Sequence, residues 1–262
     1  MRKRRIRSMT LKMKFKSFKR IVYILIAIAL PLLSFADDNV QALFQKGNNY
    51  YAKAQYKEAL KAYQQIVNDG YKSAAVYFNM GNASYKNDDI PSALLYYEKA
   101  HKLAPGDEDI NFNIRFANLK TTDKIDEAPE LFLNRWWREF ILSVSVKVLA
   151  VLSILFVLAG SAMLIVYFFT NSVFIKKASF YTSIILFFFG MVTLFVSSQQ
   201  VNYFESHKQA IIFSGSVNVK SGPVEKAGTL FVLHDGTKVN VLDSNNDWIK
   251  IKLANGNEGW IK

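Results

Sequence analysis

The spacing of apolar residues takes three forms along this chain, and each form predicts a different kind of element. Between residues 39 and 122, apolar positions recur at helical intervals broken by Gly, Pro and Asp, which predicts short helices. Two almost uncharged runs follow at 148–169 and 178–198, each long enough to cross a hydrocarbon core of about 30 Å as a helix. Residues 208–262 alternate apolar and polar positions between turn residues, which predicts β-strands. The pattern therefore predicts a multi-domain membrane protein.

The helical region repeats itself at an interval of 34 residues. Six positions recur in register, as Gly47, Asn48, Tyr51, Ala59, Leu60, Tyr63 and as Gly81, Asn82, Tyr85, Ala93, Leu94, Tyr97. The second unit adds Tyr77, Ala100 and Pro105. This pattern resembles the tetratricopeptide repeat (TPR), a pair of packed helices, in which Gly81 and Ala93 must be small because the two helices touch there. The resemblance implies a TPR domain at 37–122, with two repeats and a capping helix at 107–122.

The tail resembles a second known module. Its segments VNVKSGP, LHDGTKVNVL, DWIKI and GWI are similar in spelling and spacing to the bacterial SH3-like domain. The resemblance implies a small all-β barrel over residues 208–262, with Trp248 and Trp260 as aromatics of the barrel wall. Gly236 and Gly259 would occupy turns or bulges where a side chain would clash.

The start of the chain carries most of its excess charge. The formal net charge is +12, but ten of the 33 Lys and Arg lie in residues 1–20. Over residues 37–262 the basic and acidic side chains are nearly equal in number, which argues against a nucleic-acid surface. Basic residues followed by a short apolar run predict a signal peptide over 1–36, starting at Met1 or Met13, with an uncleaved anchor as the alternative.

Export of the chain sets the expected topology. If the N-terminus of the chain stays in the cytoplasm, the TPR domain lies on the exported side of the membrane and the hairpin at 170–177 lies in the cytoplasm. The tail, after a linker at 199–207, then lies on the exported side again. Both soluble domains would then face the periplasm from a bacterial inner membrane. Exported proteins can form disulfides, but the chain has no Cys, so each domain depends on its own core. Small residues in the spans, among them Gly160 and Gly190, would let the two helices approach each other.

The first helices of the repeats supply the candidate binding residues. In a TPR they line the concave face, which gives Phe44, Asn48, Tyr51, Phe78, Asn82, Tyr85 and Phe112. Phe rings can form apolar pockets, and Asn amides can donate to and accept from an extended peptide. The Phe and Tyr rings could instead pack between the helices, and the sequence does not favour either role for them. For Asn48 and Asn82, binding a ligand in the groove is the favoured role.

The segment at 123–147 combines an acidic linker with an aromatic, basic stretch. Arg135, Trp136, Trp137 and Arg138 stand beside the first apolar run. Indole and guanidinium side chains favour the bilayer interface, so we expect a membrane anchor there; a lipid-binding or partner-binding motif is the alternative.

The chain offers few residues for catalysis. Its three His, at 101, 207 and 234, are not spaced from one another or from carboxylates as metal ligands are, and we expect each to be a solvated surface residue. The absence of Cys excludes a thiolate nucleophile. We therefore expect no metal, no cofactor and no enzymatic activity.

The order of these parts resembles the BatE family of TPR proteins from the Bacteroides aerotolerance (Bat) operon. That resemblance implies partners in an envelope assembly: von Willebrand A-domain membrane proteins and a MoxR-type ATPase. The leading hypothesis is a membrane scaffold that binds protein partners. The alternative is a peptidoglycan-binding protein, or one that regulates wall hydrolases, because SH3-like domains often bind wall peptides.

Overall fold

The computed structural model describes residues 38–262, so the predicted signal peptide at 1–36 lies outside the described residues. Within the described range, the chain divides into two compact units. One unit comprises Lys147–Ser198, and the other combines the helices before it with the strands after it.

Five short helices form the N-terminal region. They are α1 (Asp38–Ala52), α2 (Tyr56–Asn68), α3 (Ala74–Lys86), α4 (Ile90–Leu103) and α5 (Glu108–Asn118). Side chains cap the N-termini of α3, α4 and α5. Ser73 accepts a hydrogen bond from the amide of Val76, Asp89 from that of Ser92, and Asp107 from that of Ile110. The helix pairs and the extra helix α5 agree with the repeat pattern.

Close packing within each repeat explains why its small residues are small. A Cβ added to Gly81 would lie 2.5 Å from the ring of Tyr97, and Gly47 faces Tyr63 in the same way. Ala93 is fully buried. The expectation that the paired helices touch at Gly81 and Ala93 is confirmed. Tyr63, Ile66 and Met80 fill the core between the repeats.

The C-terminal region is one antiparallel sheet rather than a closed barrel. Its strands are β1 (Gln209–Ile211), β2 (Ser216–Lys220), β3 (Thr229–His234), β4 (Lys238–Asn245), β5 (Trp248–Lys252) and β6 (Glu258–Ile261). They pair in the order β1-β4-β5-β6-β2-β3, so β1 and β3 are the two edges. The prediction of a closed barrel is wrong, because the alternation of apolar and polar residues specifies which face of a strand is buried but not which edge strands pair. The three-residue β1 pairs with β4 alone among the described strands.

Close approach and a positive φ explain two glycines of this sheet. Gly236 has a φ of +82° in the turn before β4, and a Cβ on Gly259 would collide with Val219. Trp248 and Trp260 are half-buried on β5 and β6. The sheet buries a core of Ile212, Val219, Leu233, Val239, Ile251 and Leu253.

Two long apolar helices follow the N-terminal region. They are α7 (Val146–Phe169) and α8 (Val173–Ser206), and both have the length and composition of membrane-spanning helices. Ser153 donates to the carbonyl of Gly190, and a Cβ on Gly160 would lie 3.1 Å from the ring of Phe187. The expectation that small residues let the helices approach is therefore confirmed.

Helix α8 is longer than its apolar run. The predicted hairpin at 170–177 shrinks to residues 170–172, and the predicted linker at 199–207 is helical to Ser206. Neither flank of the apolar run contains Gly or Pro, so the helix continues after the apolar composition ends.

An additional short helix, α6 (Phe132–Leu142), lies in the segment that we expected at the membrane interface. Its C-terminal end is held by Gln200, a fully buried side chain whose Nε2 donates to the carbonyls of Ile141 (2.9 Å) and Val144 (3.0 Å). These contacts satisfy carbonyls that a helix end leaves without partners.

Candidate functional site

The phenylalanines of the repeats differ in how much surface they offer. Phe44 packs 5.9 Å from the ring of Tyr63, and Phe78 packs 5.9 Å from the ring of Tyr97, so both are half-buried. Phe112, on the last helix of the series, is 56% exposed and stacks on Phe116, its neighbour one turn along. Of the three, Phe112 therefore presents the most ring surface to a ligand.

Asn and Tyr side chains form a repeated hydrogen-bonded set, which we call the Asn ladder. In its first rung, Asn48 Oδ1 accepts from the Tyr63 hydroxyl at 2.7 Å and from Asn79 Nδ2 at 3.0 Å. In its second rung, Asn82 Oδ1 accepts from the Tyr97 hydroxyl at 2.8 Å and from Asn113 Nδ2 at 2.9 Å. Each position of the second rung is 34 residues after its counterpart.

Burial keeps the tyrosine of each rung in its donating form. Desolvation raises the pKa of Tyr63 to about 12, and the same burial raises the pKa of Tyr97. Both hydroxyls therefore stay protonated at any physiological pH and hold the Asn side chains in one orientation.

The fixed orientation leaves part of each Asn side chain for a ligand. Within the described residues, Nδ2 of Asn82 and Oδ1 of Asn113 have no hydrogen-bond partner in the ladder. Together they offer one donor and one acceptor, which is what the two groups of a peptide unit require. Asn48 and Asn79 offer the same pair. Asn79 and Asn113 were not among the predicted binding residues, although their 34-residue spacing is visible in the sequence.

The predicted groove tyrosines make ring contacts instead. Tyr51 packs edge-on against Tyr56 at 5.4 Å, and Tyr85 packs against Phe116 at 5.5 Å. The ammonium of Lys120 lies 4.6 Å from the centre of the Tyr85 ring. These contacts brace the helix ends beside the Asn ladder.

Helix α6 presents an apolar surface to its surroundings. Phe132 is 76% exposed and Trp136 is 55% exposed, and Trp136 stacks on Phe140. Arg138 is paired with Glu130 beside them, whereas Arg135 is exposed. Exposed rings next to guanidinium groups suit a lipid headgroup region.

The acidic linker is not a free tether, because residues 121–128 dock on the sheet. The amide of Ala128 donates to the carbonyl of Ala254 at 2.9 Å, and Ile125 packs on the sheet core. Asp123 accepts from the Thr237 hydroxyl (2.6 Å) and from the His234 amide (2.7 Å), and its second oxygen lies 2.8 Å from His234 Nδ1. Burial opposes the charge of Asp123, but these hydrogen bonds outweigh it and lower the pKa of its carboxyl.

The expectation that all three His are solvated is wrong for two of them. His234 contacts Asp123, and His101 is half-buried with its ring edge-on to Phe204 at 6.2 Å. Burial lowers the pKa of His101. His207 is exposed, as expected. The contact partners are 111 and 103 residues away in the chain, so no local spacing could have indicated them.

A cavity of about 280 Å³ lies where α4, the end of α8 and β1 meet; we call it the junction pocket. Leu95, Phe204 and Ile211 give it apolar walls. Four lysines and one glutamate also line it, and Lys238 is paired with that glutamate, Glu98, at 2.7 Å.

Comparison with known proteins identifies two modules. Residues 74–107 match the tetratricopeptide repeat model, and residues 215–262 match the bacterial SH3 domain model. The chain is thus a protein of TPR and bacterial SH3 modules with two apolar helices, and such modules suit binding of proteins or peptidoglycan.

One curated relative matches a short part of the chain. Over 53 residues the chain is 32% identical to the putative N-acetylmuramoyl-L-alanine amidase YrvJ of Bacillus subtilis (strain 168). The match covers 20% of this chain and a tenth of that protein.

Proposed function

We propose that this protein is a non-enzymatic scaffold of the bacterial inner membrane. Its TPR region binds an extended segment of a partner protein, its two apolar helices anchor it, and its SH3-like region binds a second ligand. Both regions face the periplasm. The resemblance to the Bat proteins supplies the expected partners, von Willebrand A-domain membrane proteins and a MoxR-type ATPase system, in a complex linked to aerotolerance or stress.

The observation that carries this proposal is the Asn ladder. Two rungs, repeated at 34 residues, hold an amide donor and an amide acceptor in fixed orientation, and Phe112, the residue before Asn113 in the chain, has an exposed ring. An extended peptide needs this combination, because its backbone groups require partners and its side chains require pockets. Preorganised side chains also reduce the entropy lost on binding.

Chemical cross-linking in cells, followed by purification of the full chain, tests the proposal. The Asn82→Ala, Asn113→Ala double variant should lose most of the co-purified envelope protein, since it removes one rung. Asn49→Ala is the control, because Asn49 is an exposed side chain on α1 outside the ladder. Equal recovery with both variants would contradict a groove function.

A second function, peptidoglycan binding, is favoured by the bacterial SH3 match and by the amidase relative. Trp248 and Trp260 are the aromatics that we assign to it, and the ammonium of Lys220 lies 6.0 Å from the centre of the Trp248 ring. Full-length protein in detergent should then sediment with purified wall sacculi. Trp248→Ala should reduce the bound fraction, whereas Trp136→Ala on α6 should leave it unchanged.

A further inference from the structure

The junction pocket combines apolar walls with unpaired positive charge. Lys238 is neutralised by Glu98, and the ammonium of Lys99 lies 5.5 Å from the centre of the Tyr96 ring. Lys102 and Lys208 are exposed and have no carboxylate partner among the described residues. The pocket therefore retains the ammonium groups of Lys99, Lys102 and Lys208, which an anion could neutralise; Lys102 lies on α4, and Lys208 lies between the end of α8 and β1.

The apolar walls restrict which anion fits. Leu95, Phe204 and Ile211 form the walls, and the ammonium of Lys102 lies 6.0 Å from the centre of the Phe204 ring. A small, fully hydrated anion gains nothing from such walls, because it would lose water without receiving hydrogen bonds. An amphiphile gains from both parts, since its charged group meets the lysines while its apolar part covers the rings.

The position of the pocket residues in the sequence points to the source of this amphiphile. Phe204 comes six residues after the apolar run that ends at Ser198, and His207 and Lys208 follow it. An ammonium group within about a Debye length of a membrane surface attracts anionic lipid headgroups on either side of the membrane. We propose that the junction pocket binds an anionic phospholipid, with its phosphate at Lys102 and Lys208 and the first part of an acyl chain against Phe204. This site is independent of the ligand in the TPR groove.

Native mass spectrometry of the full chain released from detergent micelles tests this site. The protein is titrated with phosphatidylglycerol, and the bound lipids are counted. The Lys102→Gln, Lys208→Gln double variant should bind the tightest lipid roughly tenfold to thirtyfold more weakly, since each lysine near an anionic lipid contributes about 1 kcal/mol. Lys102→Arg, Lys208→Arg should retain binding, which separates lost charge from lost folding.

The controls distinguish this site from ordinary lipid around the apolar helices. Lys53→Gln, Lys57→Gln makes the same change of charge at exposed positions in the first repeat and should bind as the parent does. Zwitterionic phosphatidylcholine should be insensitive to all the variants.

Three results would overturn the proposal. The first is equal phosphatidylglycerol binding by the Gln variant and the parent. The second is equally tight binding of glycerol phosphate without acyl chains, which would make this a site for a free anion. The third is cross-linking of position 208 in cells to an acidic protein segment and not to lipid.

Discussion

Single side chains in the repeats contribute both to the packed core and to the Asn ladder. Tyr97 fills the space that Gly81 leaves, and its hydroxyl orients Asn82. One residue thus connects the core of the repeat to the proposed groove. The same contacts recur in the first repeat through Tyr63, so the hydrogen-bond pattern repeats together with the fold.

Removing the hydroxyl of Tyr97 tests this connection. Tyr97→Phe should lower the free energy of unfolding by about 1 kcal/mol, because Asn82 loses a buried hydrogen bond, and should lower the Tm by a few degrees. Thermal unfolding of the full chain in detergent measures the change. Tyr50→Phe is the control, since Tyr50 is half-buried outside the ladder; equal shifts for the two variants would contradict the assigned role.

Much of the repeat chemistry could be predicted from the sequence. The 34-residue period indicated the helix pairs, and the small size of Gly81 indicated a close approach. The contacts of Asp123 with His234 could not be predicted, because they join residues 111 positions apart and no spacing rule links them. The exposure of Phe112 was not predicted, although the repeat pattern had placed this residue on the capping helix at 107–122, which has no further repeat packed on it.

At the scale of elements, the strap formed by residues 121–128 joins the repeats to the sheet. The carboxylate of Asp123 at its centre should make the stability of the fold depend on pH. The folded-state pKa of Asp123 is lowered from its usual 3.8, so its ionised form stabilises the fold above that value. This contribution is lost as the pH falls through the lower folded-state pKa.

The Asp123→Asn variant measures this contribution. At pH 7 it should unfold more easily by about 1–3 kcal/mol, since hydrogen bonds to a charged group are lost. The difference from the parent should shrink as the pH falls below about 4 and disappear in stronger acid. Denaturant unfolding at several pH values checks it, with Asp126→Asn, at an exposed position in the same segment, as the matched control. A difference independent of pH would contradict the charged role of Asp123.

Helix α6 is the second element whose placement can be tested. Its exposed rings predict that Trp136 and Trp137 lie in the headgroup region. Brominated phospholipids in nanodiscs should quench part of the tryptophan fluorescence of the protein, and the Trp136→Phe, Trp137→Phe variant should lose the quenched part. Trp248→Phe should keep it. Quenching that survives the first variant would place α6 away from the lipid.

At the scale of the whole molecule, the proposed scaffold requires both binding regions on one side of the membrane. The chain has no native Cys, so single Cys residues report topology without background. Lys57→Cys in the repeats and Asn255→Cys in the sheet should react with an impermeant maleimide added to the periplasmic side. Ser172→Cys, between α7 and α8, should react only after the inner membrane is opened. Labelling of Ser172→Cys from the periplasm would reverse the orientation and contradict the proposal.

The most direct test of the scaffold is photo-cross-linking in cells from a single position in the proposed groove. A photoreactive phenylalanine at position 112 replaces the most exposed ring of the site, and the same residue at position 57, on α2, is the control. Our account predicts an envelope protein cross-linked from position 112 only, with von Willebrand A-domain membrane proteins as the first expectation, and loss of that product in the Asn82→Ala, Asn113→Ala background. The same products from both positions, or products that survive the loss of the Asn rung, would contradict it.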